Sequence, residues 1–143
     1  MIQRILFATD FSPISDRAES YVVQIAKPLG ARVIVLHAIE PIGGEEPGTD
    51  RQFDAFLRTL KEKAHARAKG LIERLAGEGI AAELRVEITK RWQAVVSVAA
   101  QENVDLVVMG SHAIQEDGKV YMGTTSHKVF FSTDKPLLVV PHG

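Results

Sequence analysis

The sequence predicts a doubly wound, three-layer α/β fold on a five-stranded parallel sheet. Two observations carry this reading. Short runs that are apolar on both faces recur along the chain, as strands of a parallel sheet do when helices cover both sides. Between them lie segments whose apolar residues recur every three and four positions. The order is therefore βαβαβαβαβ, which implies parallel strands joined by right-handed crossovers.

Taken in order, the first strand is Ile2 to Ala8, ending at Thr9-Asp10. Ser12 then reads as a helix N-cap with Pro13 at the first helical position, where its missing N–H costs nothing. Ala18, Tyr21, Val22, Ile25 and Ala26 form the apolar stripe of that helix, which ends near Pro28-Leu29-Gly30. The second strand, Val33 to Ile39, is nearly all apolar. Pro41 to Asp50 is the linker-like stretch, with Gly43-Gly44 and Pro47-Gly48. The longest helix carries Phe53, Phe56, Leu57, Leu60, Ala64, Ala68, Leu71, Ile72 and Leu75, and Gly77 and Gly79 close it. Ile80 to Ile88 alternates Leu84, Val86 and Ile88 with Glu83, Arg85 and Glu87, the pattern of an edge or half-exposed strand. Trp92, Val95, Val96 and Ala99 mark a third helix. Asp105 to Gly110 is the fourth strand, a loop runs to Gly123, a short helix holds Val129-Phe130, and Pro136 to Pro141 is the last strand.

Composition narrows the function classes. The 143 residues include 17 basic and 18 acidic ones, a formal net charge of −1. That balance argues against nucleic-acid binding, which relies on clustered Lys and Arg. No apolar run approaches the roughly 20 residues that cross a bilayer, and the apolar stretch at the start stops at Asp10, too soon for a signal peptide. The absence of cysteine excludes disulfides, thiolate zinc sites and cysteine nucleophiles. One domain over residues 1–143, cytoplasmic and not inserted in a membrane, is the expectation.

In doubly wound sheets ligands sit beyond the carboxyl ends of strands, where the winding reverses. Two strand ends stand out. The first presents Asp10, a carboxylate that could serve a ligand or cap the first helix. The fourth ends in Gly110-Ser111-His112-Ala113, and Gly123-Thr124-Thr125-Ser126 opens the last helix. Glycine permits close backbone approach, and a helix start offers unpaired N–H groups and the positive dipole end to an anion. An ordinary threonine-rich helix start would look the same. Gly118 to Thr125 echoes a phosphate-binding loop but lacks the lysine after Gly123. His37, His65, His112, His127 and His142 show no metal-ligand spacing; His37 reads as a packing residue bonded to backbone, and Trp92 as packing. The charges at Arg58, Lys61, Lys63, Arg67 and Lys69, interleaved with Asp54 and Glu62, read as a solvated helix face.

The residues also resemble a known family. Ala8-Thr9-Asp10-Phe11-Ser12, Val35-Leu36-His37-Ala38, Asp105 to Ala113 and Pro136 to Pro141 are similar to the universal stress protein family over the whole chain. Its nucleotide-binding members carry G-x2-G-x9-G-(S/T) after the fourth strand. Here Gly110, Ala113, Gly123 and Thr124 keep that spacing, with alanine in place of the second glycine. The resemblance implies a Rossmann-like, adenine-nucleotide α-hydrolase-like sheet of strand order 3-2-1-4-5. It places adenine and ribose against Ala8, Thr9, Asp10 and Ala38. Phosphates would lie against Gly110, His112, Ala113, Gly123, Thr124 and Thr125, and Met109 would also contact the nucleotide. The ligand would be ATP or AMP, with Mg²⁺ or Mn²⁺ if ATP. It further implies a regulatory protein of the stress response, with at most slow hydrolysis and no catalytic residues. The homodimer would pair antiparallel through strand 136–141. The methyl of Ala113, and Glu116 and Asp117 against the single Lys119, keep a second reading open: a nucleotide-free dimeric interaction module on the same fold. An adenylating or hydrolytic enzyme on this scaffold lacks a nucleophile and base here.

Overall fold

Apolar runs and amphipathic stretches alternate as the pattern requires. A computed structural model describes residues 1–41, 51–111, 114–121 and 123–141. The elements are β1 (Arg4–Ala8), α1 (Ile14–Leu29), β2 (Arg32–Ile39), α2 (Arg51–Gly77), β3 (Ala82–Ile88), α3 (Arg91–Gln101), β4 (Leu106–Ser111), β5 (Ile114–Glu116), β6 (Lys119–Tyr121), α4 (Thr124–Ser132) and β7 (Leu137–Pro141). The main sheet runs β3-β2-β1-β4-β7, all parallel. Counting only its own five strands, the order is 3-2-1-4-5, as expected. The winding reverses between β1 and β4, so the crevice forms at the carboxyl ends of those two strands.

Successive strand residues face opposite sides, and the core divides accordingly. Ile5, Phe7, Val33, Val35, Val108 and Val140 pack with Ala18, Val22 and Ala26 of α1 and with Leu71 and Leu75 of α2. On the other face Leu6, Ile34, Leu36, Val107 and Met109 pack with Ala94, Val95, Val98 and Ala99 of α3 and Val129 of α4. Trp92 packs against this second cluster, as expected. The helices thus form two pairs, α1 with α2 and α3 with α4, one on each face. Residues that are buried on both faces explain why these strands read as continuous apolar runs rather than as alternations.

Two local expectations are corrected. Ser12 does not cap α1: its hydroxyl is buried with no hydrogen-bond partner among the described residues, and Pro13 already has helical backbone angles just before Ile14. Asp10 does not cap the helix N–H groups either; its Oδ1 closes the turn before α1, accepting from the Ser12 N–H at 2.9 Å and the Ser15 hydroxyl at 3.2 Å. The stretch after β4 is not all loop. Ile114–Glu116 and Lys119–Tyr121 pair antiparallel around Asp117-Gly118, both at positive φ (52° and 74°). An Asp-Gly pair at positive φ is the signature of a two-residue hairpin turn. Gly118, read as part of a phosphate-loop echo, is that turn's glycine.

Candidate functional site

The crevice is opened by a drop in side-chain size. Along β1 the residues facing α3 and α4 pass from Leu6 to Ala8, and along β2 from Leu36 to Ala38. The two alanines stop the core short of the strand ends and leave a cleft of about 290 Å³. That volume sits at the lower end of the roughly 300–1,000 Å³ typical of small-molecule sites. Its walls bring together Ala8, Thr9, Asp10, Ala38, Met109, Gly110, Gly123, Thr124 and Thr125, residues from four separate stretches that the sequence nominated. His112 and Ala113, also nominated, lie outside the described residues.

The floor corner at the end of β1 is tightly held. The Thr9 N–H continues the β1–β2 ladder to the Leu36 carbonyl at 3.0 Å. The Thr9 hydroxyl accepts from the Phe11 N–H at 3.0 Å, and Phe11 adopts φ 61°. A bulky residue in that left-handed region is uncommon and costs on the order of 1 kcal/mol or more. His37 Nδ1 donates to the Thr9 carbonyl at 3.0 Å. Because a carbonyl only accepts, the neutral ring carries its proton on Nδ1 and keeps an acceptor lone pair on Nε2. The same imidazole stacks against Phe11 with ring centres 5.0 Å apart. Together these contacts fix the turn that carries Asp10 to the cleft wall.

Burial by itself would raise the pKa of Asp10, but interactions with Ser12 and Ser15 and the positive charge of Arg91 outweigh it. The carboxyl titrates below its ordinary value of 3.8. Near neutral pH the cleft therefore holds a carboxylate, an acceptor for hydroxyl or amine donors. Asp10 thus ties the turn before α1 and lines the cleft.

The far wall is the start of α4. Gly123 is its capping position, in extended backbone, and no side chain caps the helix. The Gly123 N–H is already used, donating to Ser111 Oγ at 3.0 Å. The His127 N–H makes the first helical turn to the Gly123 carbonyl at 3.0 Å. The donors left at this helix start are thus the N–H groups of Thr124, Thr125 and Ser126, with their hydroxyls, beside the positive dipole end. Gly110 also changes its meaning. A β-carbon there would stand 3.2 Å from the Ile14 carbonyl oxygen, so this glycine makes room for α1 while its backbone lines the cleft.

Sequence reading missed several lining residues, Ile14, Ser15, Leu36, Arg91 and Val95; it quoted Ser111 and Ser126 at the strand end and helix start, and it left His37 as packing. Arg91 had a usable signal, since it stands just past the short turn after Ile88, the carboxyl end of the third strand. Among the described residues no group of three or more His, Asp or Glu side chains could hold a metal ion. Among those residues, too, no helix is long and apolar enough to cross a membrane.

The family model for the universal stress proteins matches residues 1–141. The chain belongs to the universal stress protein family. A universal stress protein of Thermus aquaticus is 31% identical, covering 98% of this chain and 99% of its own. The universal stress protein MJ0577 of Methanocaldococcus jannaschii is 26% identical over 98% of this chain and 95% of its own. Its solved structure superposes with a TM-score of 0.87, covering 100% of this chain and 98% of that one. The universal stress protein of Archaeoglobus fulgidus, solved in complex with dAMP, has a TM-score of 0.68 at 20% identity, covering 97% of this chain and 98% of that one. As a universal stress protein, the chain shares its fold with these structural neighbours.

Proposed function

We propose that this universal stress protein binds an adenine nucleotide, ATP or AMP, in the cleft and acts as a cytoplasmic regulatory homodimer in the stress response. The observation that carries the reading is the pairing, across one cleft, of an ionised acceptor with an uncapped helix start. Asp10 would accept from the ribose hydroxyls, the alanines at 8 and 38 would seat the base, and Thr124, Thr125 and Ser126 would donate to phosphate. The dAMP complex of a structural neighbour supports a ligand of this class. Among the described lining residues Asp10 is the one carboxylate. A Mg²⁺ or Mn²⁺ arriving with ATP would therefore be held chiefly by the phosphates. Any hydrolysis would be slow.

The test is calorimetric titration of AMP and ATP into the wild type and Asp10→Ala. Loss of a charge-assisted hydrogen bond should weaken binding by about ten- to a hundredfold. Asp10→Ala also removes the acceptor for Ser12 and Ser15, at about 1 kcal/mol of stability. Circular dichroism must therefore show the variant folded at the titration temperature. Equal affinities would take Asp10 out of the site.

A second reading has its own observation. The Gly123 N–H is committed to Ser111, while Phe130 and Phe131 are 57% and 72% exposed. A nucleotide-free interaction module would use that apolar surface and leave the cleft empty. Native mass spectrometry of freshly purified protein separates the two: a bound nucleotide mass favours the first.

A further inference from the structure

Arg91 breaks a local rule. It is the first residue of α3, follows Lys90 in the capping position, and has no acidic residue in the first turn and no side-chain cap. Two cations at the positive end of a helix dipole are unfavourably placed. The backbone there is nevertheless fixed, because the Arg91 N–H donates to Glu40 Oε1 at 2.9 Å, tying the helix start to the chain just past β2. The guanidinium itself makes no hydrogen bond or ion pair among the described residues, yet it lines the cleft with Asp10, His37 and Ala38. Its charge acts on Asp10 through space without a bond, and an anchored backbone with a donor-only side chain left unbonded among the described residues on a ligand cleft is the arrangement of a recognition residue. Local costs of this kind tend to persist where function requires them.

The position also says which part of a ligand it meets. α3 and α4 lie on the same face of the sheet and both start at its carboxyl edge. α4 begins after β4 and offers N–H groups and hydroxyls. Arg91 begins α3 at the β2–β3 side, next to Ala38. If the phosphates sit at α4, the other end of the nucleotide reaches Arg91.

Resting on the nucleotide reading above, we propose that Arg91 contacts the base of the bound nucleotide, donating to the ring-nitrogen acceptors of a purine. A guanidinium has no acceptor, so it selects ring edges that present lone pairs. Its planar fork is not reproduced by lysine, whose ammonium is a single point charge.

The experiment compares AMP with ribose 5-phosphate, which keeps the sugar and phosphate and lacks the base, on wild type, Arg91→Met and Arg91→Lys. Nuclear magnetic resonance titration reads all affinities, including weak ones. Arg91→Met should lose about five- to tenfold for AMP while ribose 5-phosphate changes less than about twofold, an exposed charge-assisted contact being weaker than a buried one. Arg91→Lys should recover only part of the loss. Melting temperature should stay level or rise in Arg91→Met, since a cation leaves the helix start. Equal losses for both ligands would assign Arg91 to the phosphate or to the fold and overturn the proposal, as would no loss at all. A wild type that binds AMP and ribose 5-phosphate equally also overturns it, because the base then contributes nothing. A wild type that binds neither overturns the nucleotide reading and this one with it, whereas normal AMP binding by Arg91→Met removes Arg91 alone.

Discussion

At Gly110 a β-carbon would meet the Ile14 carbonyl oxygen at 3.2 Å and its carbonyl carbon and Cγ2 at 3.7 Å. The nearest of these is backbone in the first turn of α1, which cannot swing aside as a side-chain tip can. Gly110→Ala should therefore push α1 outward by a few tenths of an ångström and lower stability by about 1 kcal/mol, the low end of the range for overpacking. Denaturant unfolding reads this directly. An unchanged midpoint would mean that the α1 start yields freely. Ile14 and Ser15 belong to the cleft wall, so the same substitution should weaken nucleotide binding without touching the ligand. The comparison shows what was legible residue by residue. Asp10 was visible because a carboxylate after an apolar strand is conspicuous. The use of Gly110 was not, because sequence shows that a side chain is missing but not which neighbour needs the space. Ser12 misled for a related reason: the helix starts one residue later than the Ser-Pro pair suggests, with Pro13 in the capping position.

Among elements, β7 is one of the two edge strands of the main sheet, with β3 at the other end. One side of its backbone has no strand beside it among the described residues. Its last carbonyl, at Pro141, accepts from Arg17 Nη1 at 2.9 Å. The rest of that edge is apolar and unprotected by charge, the condition under which strands recruit other strands. The proposed antiparallel homodimer pairs β7 with its copy. Val139→Lys should shift the assembly toward monomer, read by light scattering at micromolar concentration. Val139 is half-buried against the α3–α4 core, so the variant's circular dichroism must match the wild type for the shift to count. A monomeric wild type, or a dimer indifferent to the substitution, would remove this strand as the interface. The hairpin β5–β6 shows where sequence reading falls short at this scale. Three-residue strands leave too few alternating positions to register as a pattern. Only Asp117-Gly118 marked the turn.

For the whole molecule, sheet order followed from runs apolar on both faces, since only a doubly covered parallel sheet buries β1, β2 and β4 so completely. What sequence could not supply was the clamp at the opposite edge. Asp105 Oδ2 accepts from the Gln3 and Arg4 N–H groups at 2.8 and 3.0 Å, and the Asp105 N–H donates to the Arg4 carbonyl at 2.8 Å. These bonds join β1 and β4 across more than a hundred residues at the end remote from the cleft. They also hold the Asp105 carboxyl below its ordinary value of 3.8, as Ser12, Ser15 and Arg91 do for Asp10. Both groups then bind protons more weakly folded than unfolded. Their contribution is complete above the unfolded value near 3.8 and is lost as pH falls through the folded values, so stability should drop on the acid side and stay level for these groups near neutrality. Asp105→Asn separates the clamp from general acid unfolding. Near pH 7 it should melt below the wild type, because the amide oxygen is a weaker acceptor than the carboxylate. Under acid conditions, where the wild-type carboxyl is itself protonated, the two melting temperatures should converge. Melting curves recorded across that range decide it: a gap of constant size would show that charge on Asp105 adds nothing to the join between β1 and β4.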